Sequence, residues 1–425
     1  MQTLSTLLRA LPPGLADDAA APDAWTRSPL SQVRDATLAN FVAAAIAAPK
    51  RSASSSFLTH APLELTARLR LLPMLAPAAR DQARRRIAAI AGDYARAGEE
   101  VETPPRPFAS AEAAISFLKR AMREGDGEGA DAALLFLIPR VPALALRAAL
   151  APEILPMLGA AAHAPILLAD LARLDGELEG AGALLRAPVA MIARLADARL
   201  SWQESVRREA FAGDGEAELF RRLTQPPPVS SPSLFIAPTM QAVEADGCAA
   251  RLLADVTATI SAAAAARAIL RIAAFSMLQD DPASAPYGWT HALTMPLGLF
   301  GCADVIDDKR ALIRLAATYA LGFRATLGKV RLVDAPPPAP RSAALFNVDP
   351  IDAAGAAYHA GAGQIAAIKN ALAARAAAHR DAHLVKYTLA SFDAAAHDPG
   401  AARLYLAAAA YLGAWWDAHP DASFE

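Results

Sequence analysis

Four of the eight histidines lie in apolar segments, where an imidazole can serve as a buried ligand. They are His60, His163, His291 and His383. A neutral imidazole is the commonest metal ligand in proteins, and helical bundles build metal sites from side chains on facing helices. Any one of them is more simply a core histidine bonded to a backbone carbonyl. Four such residues, two from each half of the chain, favour a shared metal site.

The local setting of these histidines predicts where they lie in their helices. His-Ala-Pro followed by aliphatic residues occurs at 60–65 and again at 163–168, and Thr-His-Ala recurs at 290–292. A proline two residues after a histidine suits a first helical turn, where its missing N–H is least costly. We therefore expect His60, His163 and His291 at the start of helices.

Lys386 follows His383 by three residues, so the two side chains share one face of a predicted helix. Its neighbours are Leu384, Val385 and Tyr387. A lysine buried without a partner tends to lose its proton, and the neutral amine can react with carbon dioxide to give a carbamate that binds metal. The alternative, which spacing alone favours, is that Lys386 pairs with Asp381 or extends its ammonium to solvent.

Other candidate residues lie close to these histidines in sequence. Glu64 could orient a ligand or contact the metal, and Asp381 could accept a hydrogen bond from a histidine N–H; either could equally be a surface charge. Aromatic side chains could form the walls of a pocket for a flat substrate, or could be ordinary core residues. These are Phe57, Tyr287, Trp289, Phe300 and Tyr387.

The elements that must position these side chains are predicted to be helices. Alanine, leucine and arginine dominate the chain, and β-branched residues nowhere alternate with period two. Amphipathic helices are predicted at 80–98 and 309–325, and an alanine-rich helix at 364–378. The fold class is therefore all-α, a large multi-helix bundle.

Proline-rich and glycine-rich runs divide the chain. The run at 226–233 separates an N-terminal helical half, 1–225, from a C-terminal helical half, 234–425. We expect the halves to form one catalytic domain, with a pseudo-repeat around a central metal site. Further breaks are predicted at 12–14, 103–105, 125–129, 176–182 and 336–340.

Composition excludes several classes of function. The formal net charge is -2, with 41 basic and 43 acidic residues, so neither nucleic acid nor a membrane surface is expected as a partner. Arginines interrupt the apolar stretches, and the N-terminus lacks signal-peptide features. The two cysteines form no metal or disulfide pattern, which favours the cytoplasm. No P-loop, dinucleotide fingerprint or Gly-x-Ser-x-Gly occurs.

The segment Asp-Ala-His-Leu-Val-Lys at 381–386, together with Thr-His-Ala-Leu at 290–293, resembles the questin oxidase-like family. The tail from Asp398-Pro399 through 404–410 resembles it too, and the likeness runs over about 57 to 417. Fungal relatives cleave the rings of anthraquinone polyketides. They have been described as Baeyer–Villiger-type oxidases that use a reduced nicotinamide, or as non-haem iron dioxygenases.

The resemblance implies an iron site in this chain. In the iron-dependent relatives four histidines and a carboxylated lysine hold the metal, which by position would be His60, His163, His291, His383 and Lys386. The expected cofactor is then Fe(II), with NADPH as a candidate reductant. The expected reactants are dioxygen and an aromatic or polyketide-like molecule. Segments around 103–130 and 176–184 have no counterpart in the family, so the substrate itself is not carried over. A non-catalytic helical binding protein with structural histidines is the competing interpretation.

Overall fold

The computed structural model describes residues 25–51, 55–159, 163–174, 176, 178–201, 215–229, 233, 235–254 and 260–422. The chain divides into two compact units. The first comprises residues 1–198 and 377–382, and the second comprises residues 199–376 and 383–425. The predicted break at 12–14 and positions 230–232 of the predicted linker lie outside the described residues.

The fold is all-α, as predicted. Helices that begin in the first unit are α1 Asp35–Ala45, α2 Ser55–Leu71, α3 Pro77–Arg96, α4 Ala111–Glu124, α5 Gly127–Leu137, α6 Ala143–Ile154, α7 Ala164–Leu174, α8 Arg186–Ala193 and α17 Ala382–His397. Helices that begin in the second unit are α9 Gly215–Leu223, α10 Ile236–Ala245, α11 Cys248–Ala254, α12 Ala262–Gln279, α13 Thr290–Phe300, α14 Lys309–Leu327, α15 Pro350–His359, α16 Ile365–Ala378 and α18 Ala402–Ala418. Within the described ranges the strands are β1 Lys50–Arg51 and β2 Glu99–Glu100, which pair antiparallel.

In the first unit α8 packs against α2, α4 and α5, and α2 also contacts α3 and α7. The α4–α5 corner is made by local chemistry. Ser110 caps α4 by accepting a hydrogen bond from the Ala113 N–H at 3.2 Å, and Gly125 ends the helix in the left-handed region at φ 82. The predicted break at 125–129 is therefore shorter than expected, because α5 already begins at Gly127.

In the second unit α12 packs against α9, α13, α14 and α18. Among the described helices, α12 alone is long and apolar enough to span a membrane, and 67% of it is buried inside the fold. Its two arginines are both paired: Arg267 binds Glu216, and Arg271 binds Asp398. Burial within the second unit accounts for the apolar character of this helix.

The division between the units differs from the predicted linker at 226–233. The first unit ends at Ala198, before that run. Helix α9, which precedes the run, belongs to the second unit because Phe220 contacts Phe275 of α12, with ring centroids 5.8 Å apart, and Glu216 pairs with Arg267. Composition marked where the chain cannot be helical, but packing decided where the units separate.

The helices predicted at 80–98 and 309–325 are confirmed as α3 and α14. Each has an apolar stripe that is at most 3% exposed, formed on α3 by Ala83, Ile87, Ile90, Ala91 and Tyr94 and on α14 by Leu312, Leu315, Ala316, Tyr319 and Phe323. The charged Arg85 of α3 is also buried, at 6% exposure. Cys248 and Cys302 are both buried and form no disulfide bond with each other.

Arg324 and Asp280 form an ion pair inside the second unit, with side chains 1% and 0% exposed. Burial lowers the pKa of Arg324, and the carboxylate of Asp280 opposes that effect. Asp280 also accepts hydrogen bonds from the N–H groups of Lys329 and Val330, at 2.8 and 3.3 Å. The pair therefore fixes the chain after α14 against the end of α12.

Replacing Asp280 with asparagine leaves Arg324 charged, buried and unpaired. We expect Asp280→Asn to lower the free energy of unfolding by about 3–5 kcal/mol, as for other broken buried pairs. Urea denaturation measures this loss. The neighbouring Asp281 pairs with Lys329 at the surface, so Asp281→Asn is the matched control and should cost at most about 1 kcal/mol. Equal effects of the two variants would contradict the prediction.

Candidate functional site

His60 and His163 reach the interior of the first unit in different ways. His163 directly precedes α7, as predicted for a helix start. The prediction is wrong for His60, which lies within α2 with Pro62 inside the same helix. Pro62 cannot donate a hydrogen bond to the carbonyl of Leu58. One turn later the hydroxyl of Thr66 donates to the carbonyl of Pro62 at 2.8 Å.

The two imidazoles meet through their Nε2 atoms, which are 2.8 Å apart. Both residues are buried, and their ring planes cross at 67°. Two nitrogens can be this close if they share one proton, or if both direct their lone pairs at one cation. Nitrogens about 2.1 Å from an octahedral ion and at right angles are about 3.0 Å apart. The spacing therefore suits a hydrogen bond and a pair of metal ligands equally well.

In the second unit His291 and His383 lie together with Tyr287. The ring centroids of the two histidines are 5.1 Å apart, and the Tyr287 ring is 4.5 Å from that of His383. His291 is the second residue of α13, in its first turn as predicted. A single π-helical turn, Ala285–Trp289, leads into that helix, and such turns are frequent at functional sites.

The tautomer of His291 follows from its hydrogen bond to the carbonyl oxygen of Tyr287. Because a carbonyl only accepts, Nδ1 carries the proton and Nε2 keeps a lone pair. A backbone carbonyl that holds the second ring nitrogen is the usual support for a metal-binding histidine. His291 is thus oriented so that Nε2 can bind a cation.

Lys386 is buried at 5% exposure, close to the 4% of His383 on the same helix. Such low exposure argues against the alternative in which its ammonium extends to solvent. Tyr387 is also fully buried, and its hydroxyl makes no hydrogen bond to any residue that the structure describes. Burial raises the pKa of Tyr387 well above its usual value. Tyr387 lies one turn after His383, so both side chains share a face of α17.

Glu64 is engaged in an ion pair rather than exposed on the surface. Its carboxylate accepts hydrogen bonds from both Nε and Nη2 of Arg68, the first at 2.8 Å. Arg68 is fully buried and also donates to the carbonyls of Ala377 and His379, at 2.5 and 2.7 Å. Sequence reasoning missed Arg68, although the four-residue spacing from Glu64 was a usable signal.

Asp381 lies in the short segment of the first unit that Arg68 holds. It is half-buried, and its backbone N–H donates to Nδ1 of His379 at 3.1 Å. The predicted hydrogen bond from a ligand histidine to its carboxylate stays a prediction.

The predicted aromatic walls are spread over several surroundings. Of the five, Tyr287 contacts a predicted ligand, His383. Phe57 packs near Tyr94, with ring centroids 6.0 Å apart, and Phe300 is half-buried at the end of α13. Trp289 is fully buried and lines a void of about 10 Å³, which is far too small for an aromatic substrate.

Ring nitrogens of the remaining four histidines also have hydrogen-bond partners. Ring nitrogens of His359, His397 and His419 each lie 2.8 Å from a backbone carbonyl. His379 accepts from the Asp381 N–H.

No protein-family model, curated protein or solved structure matches the chain. The resemblance to the questin oxidase-like family therefore stays a prediction. Each unit contains one pair of buried histidines, His60 with His163 and His291 with His383.

The ion pair of Glu64 predicts a structural role that can be separated from metal binding. Glu64→Gln removes the charge that neutralises buried Arg68, so it should lower the free energy of unfolding by about 1–3 kcal/mol. Metal content after loading with Fe(II) should stay unchanged. Urea denaturation and elemental analysis measure the two effects. Loss of metal at unchanged stability would instead identify Glu64 as a ligand.

Proposed function

We propose that this chain is a non-haem iron oxygenase that acts on an aromatic or polyketide-like small molecule, with oxidative cleavage of a carbon–carbon bond as the candidate reaction. The observation that carries the proposal is the pairing of buried imidazoles in each unit, His60 with His163 and His291 with His383. Imidazole and carboxylate ligands suit Fe(II), whereas the soft metals favour sulfur.

The proposed iron ligands are His60, His163, His291, His383 and a carbamate on Lys386. The donor set fits such an ion: Nε2 of His291 keeps its lone pair, and Nε2 of His60 and of His163 have a ligand-like spacing. Lys386 is buried on the same helix, three residues after His383, and a carbamate on its amine would supply the oxygen ligand. The chain would thus supply four nitrogen donors and one oxygen donor to the ion.

Bound iron would supply the electron transfer to dioxygen that an organic side chain cannot. The residues of the chain have simpler tasks. Burial of the four imidazoles excludes bulk water, and the Tyr287 carbonyl fixes the orientation of His291. The half-buried Tyr287 ring would stack on a flat substrate. The Tyr387 hydroxyl, protonated at neutral pH, would donate a hydrogen bond to a substrate oxygen.

The electron balance decides whether a reductant is required. If both oxygen atoms enter the product, the substrate supplies all the electrons. If only one enters and the other leaves as water, two further electrons are needed, and NADPH is the proposed source. Consumption of NADPH relative to dioxygen distinguishes these cases.

Iron content tests the proposal directly. Protein purified without chelator should contain about one iron per chain, measured by elemental analysis. His383→Ala and His163→Ala should each lose it, because both pairs are proposed to bind the same ion. His397→Ala is the matched control, since His397 is exposed on the same helix as His383. Retention of iron by His383→Ala but not by His163→Ala would contradict the five-ligand proposal.

The carbamate makes a separate prediction. Protein equilibrated with ¹³C-bicarbonate should show one carbamate carbon resonance by NMR, and Lys386→Met should remove it. Lys369→Met is the control, because Lys369 is half-buried with its ammonium 5.8 Å from the Phe392 ring centroid. A spectrum unchanged by Lys386→Met would assign the modification elsewhere and remove Lys386 from the ligand set.

A non-catalytic binding protein with structural histidines is the second candidate. The Nε2 to Nε2 distance of 2.8 Å also suits a hydrogen bond, and that observation favours it. Metal-free protein with the stability of the metal-loaded form would support this function. A Baeyer–Villiger-type oxidase would instead oxidise substrate with NADPH in the presence of chelator.

A further inference from the structure

A cleft of about 800 Å³ opens in the second unit, where α9 and α12 meet the segment 331–334. Its volume lies in the range of small-molecule sites. None of its lining residues belongs to the proposed iron site. The lining includes Glu216, Phe220, Arg271, Arg331, Val333 and Asp334.

The wall formed by 331–334 is fixed through its backbone. The Leu332 N–H donates to the carbonyl of Thr224 at 2.9 Å. The side-chain amide of Gln279 both donates to the Val333 carbonyl and accepts from the Val333 N–H, each at 2.8 Å. The Val333 side chain meanwhile stays 59% exposed. The wall is therefore in place before a ligand arrives, which lowers the entropy cost of binding.

Arg271 is also held in a fixed orientation. Its Nε and Nη2 donate to the two carboxylate oxygens of Asp398, at 2.6 and 2.8 Å. The buried Tyr405 hydroxyl donates to the same carboxylate at 3.1 Å, and Nη1 of Arg271 lies 3.3 Å from Glu216. These hydrogen bonds to Asp398 raise the pKa of Arg271, so its charge is permanent.

Arg331 is different. It is exposed on the opposite wall, and its guanidinium forms no ion pair or hydrogen bond with any residue in the described part of the chain. The other two guanidiniums of the lining already pair with carboxylates, so Arg331 is the position where an anionic group can bind. The carboxylates of Glu216 and Asp334 in the same lining disfavour a polyanion such as nucleic acid.

The cleft also offers apolar surface beside this charge. Phe220 is half-buried, with one side occupied by Phe275, and Val333 is exposed. A few polar groups next to apolar walls are the ordinary make-up of a ligand site. A ligand would need one anionic group and an apolar body.

We propose that this cleft binds a small aromatic or aliphatic carboxylate, with its anionic group on Arg331 and its apolar body against Phe220 and Val333. This site is independent of the proposed iron chemistry, because it uses none of the histidines. An oxygenase and a non-catalytic protein could both carry it.

Isothermal titration of the full chain with 2-naphthoate, 2-naphthalenemethanol and inorganic phosphate tests the site. We expect 2-naphthoate to bind, and the neutral alcohol and phosphate each to bind at least about tenfold more weakly. The alcohol lacks the anionic group, and phosphate lacks the apolar body. Arg331→Gln should weaken naphthoate binding by about tenfold, the loss of one charge-assisted contact.

Arg310→Gln is the matched control, because Arg310 is exposed in the first turn of α14 and does not line the cleft. It should leave naphthoate affinity unchanged. Phe220→Leu keeps an apolar side chain in the core and should weaken naphthoate binding without affecting folding. Equal affinity in Arg331→Gln and the parent chain, or equally tight binding of the neutral alcohol or of phosphate, would overturn the proposal.

Discussion

A charge inside an alanine-rich helical core needs a partner from another segment, and this constraint shapes both units. Arg68, Arg147 and Arg324 are almost completely buried, although a guanidinium never gives up its charge inside a protein. Arg147 donates to the Leu168 carbonyl at 2.8 Å, Arg324 pairs with Asp280, and Arg68 binds Glu64 together with two carbonyls. Through these bonds Arg147 links α6 to α7, and Arg324 links α14 to the end of α12. Arg68 links α2 to residues 377–379.

The same need for partners applies to the buried histidines. Neutral imidazoles can be buried at modest cost, but each still needs partners for two nitrogens. His291 uses a backbone carbonyl for one nitrogen, and His60 and His163 place one nitrogen each against the other. A cation would satisfy such lone pairs directly. This is why histidine pairs inside apolar helices support a metal function more strongly than their number alone.

The two arginines that face each other across the cleft in the second unit differ in their partners. Arg271 shows what a buried carboxylate does to a guanidinium: it is oriented and neutralised by Asp398. Arg331 lies across the cleft without such a partner in the described chain, beside exposed apolar surface. The guanidinium of Arg331 is therefore available to a ligand.

Local sequence determined much of this protein. Alanine content and period-3.6 stripes determined the helices, and the spacing of His383 and Lys386 placed both on one buried face of α17, because propensity and periodicity act over a few residues. Only the tertiary structure decided the rest. Arg85 is buried, Trp289 faces a small void, α9 packs in the second unit, and His60 meets His163 across 103 residues of chain. These outcomes depend on which helices pack together, and an alanine-rich pattern leaves that choice open because most of its faces look alike.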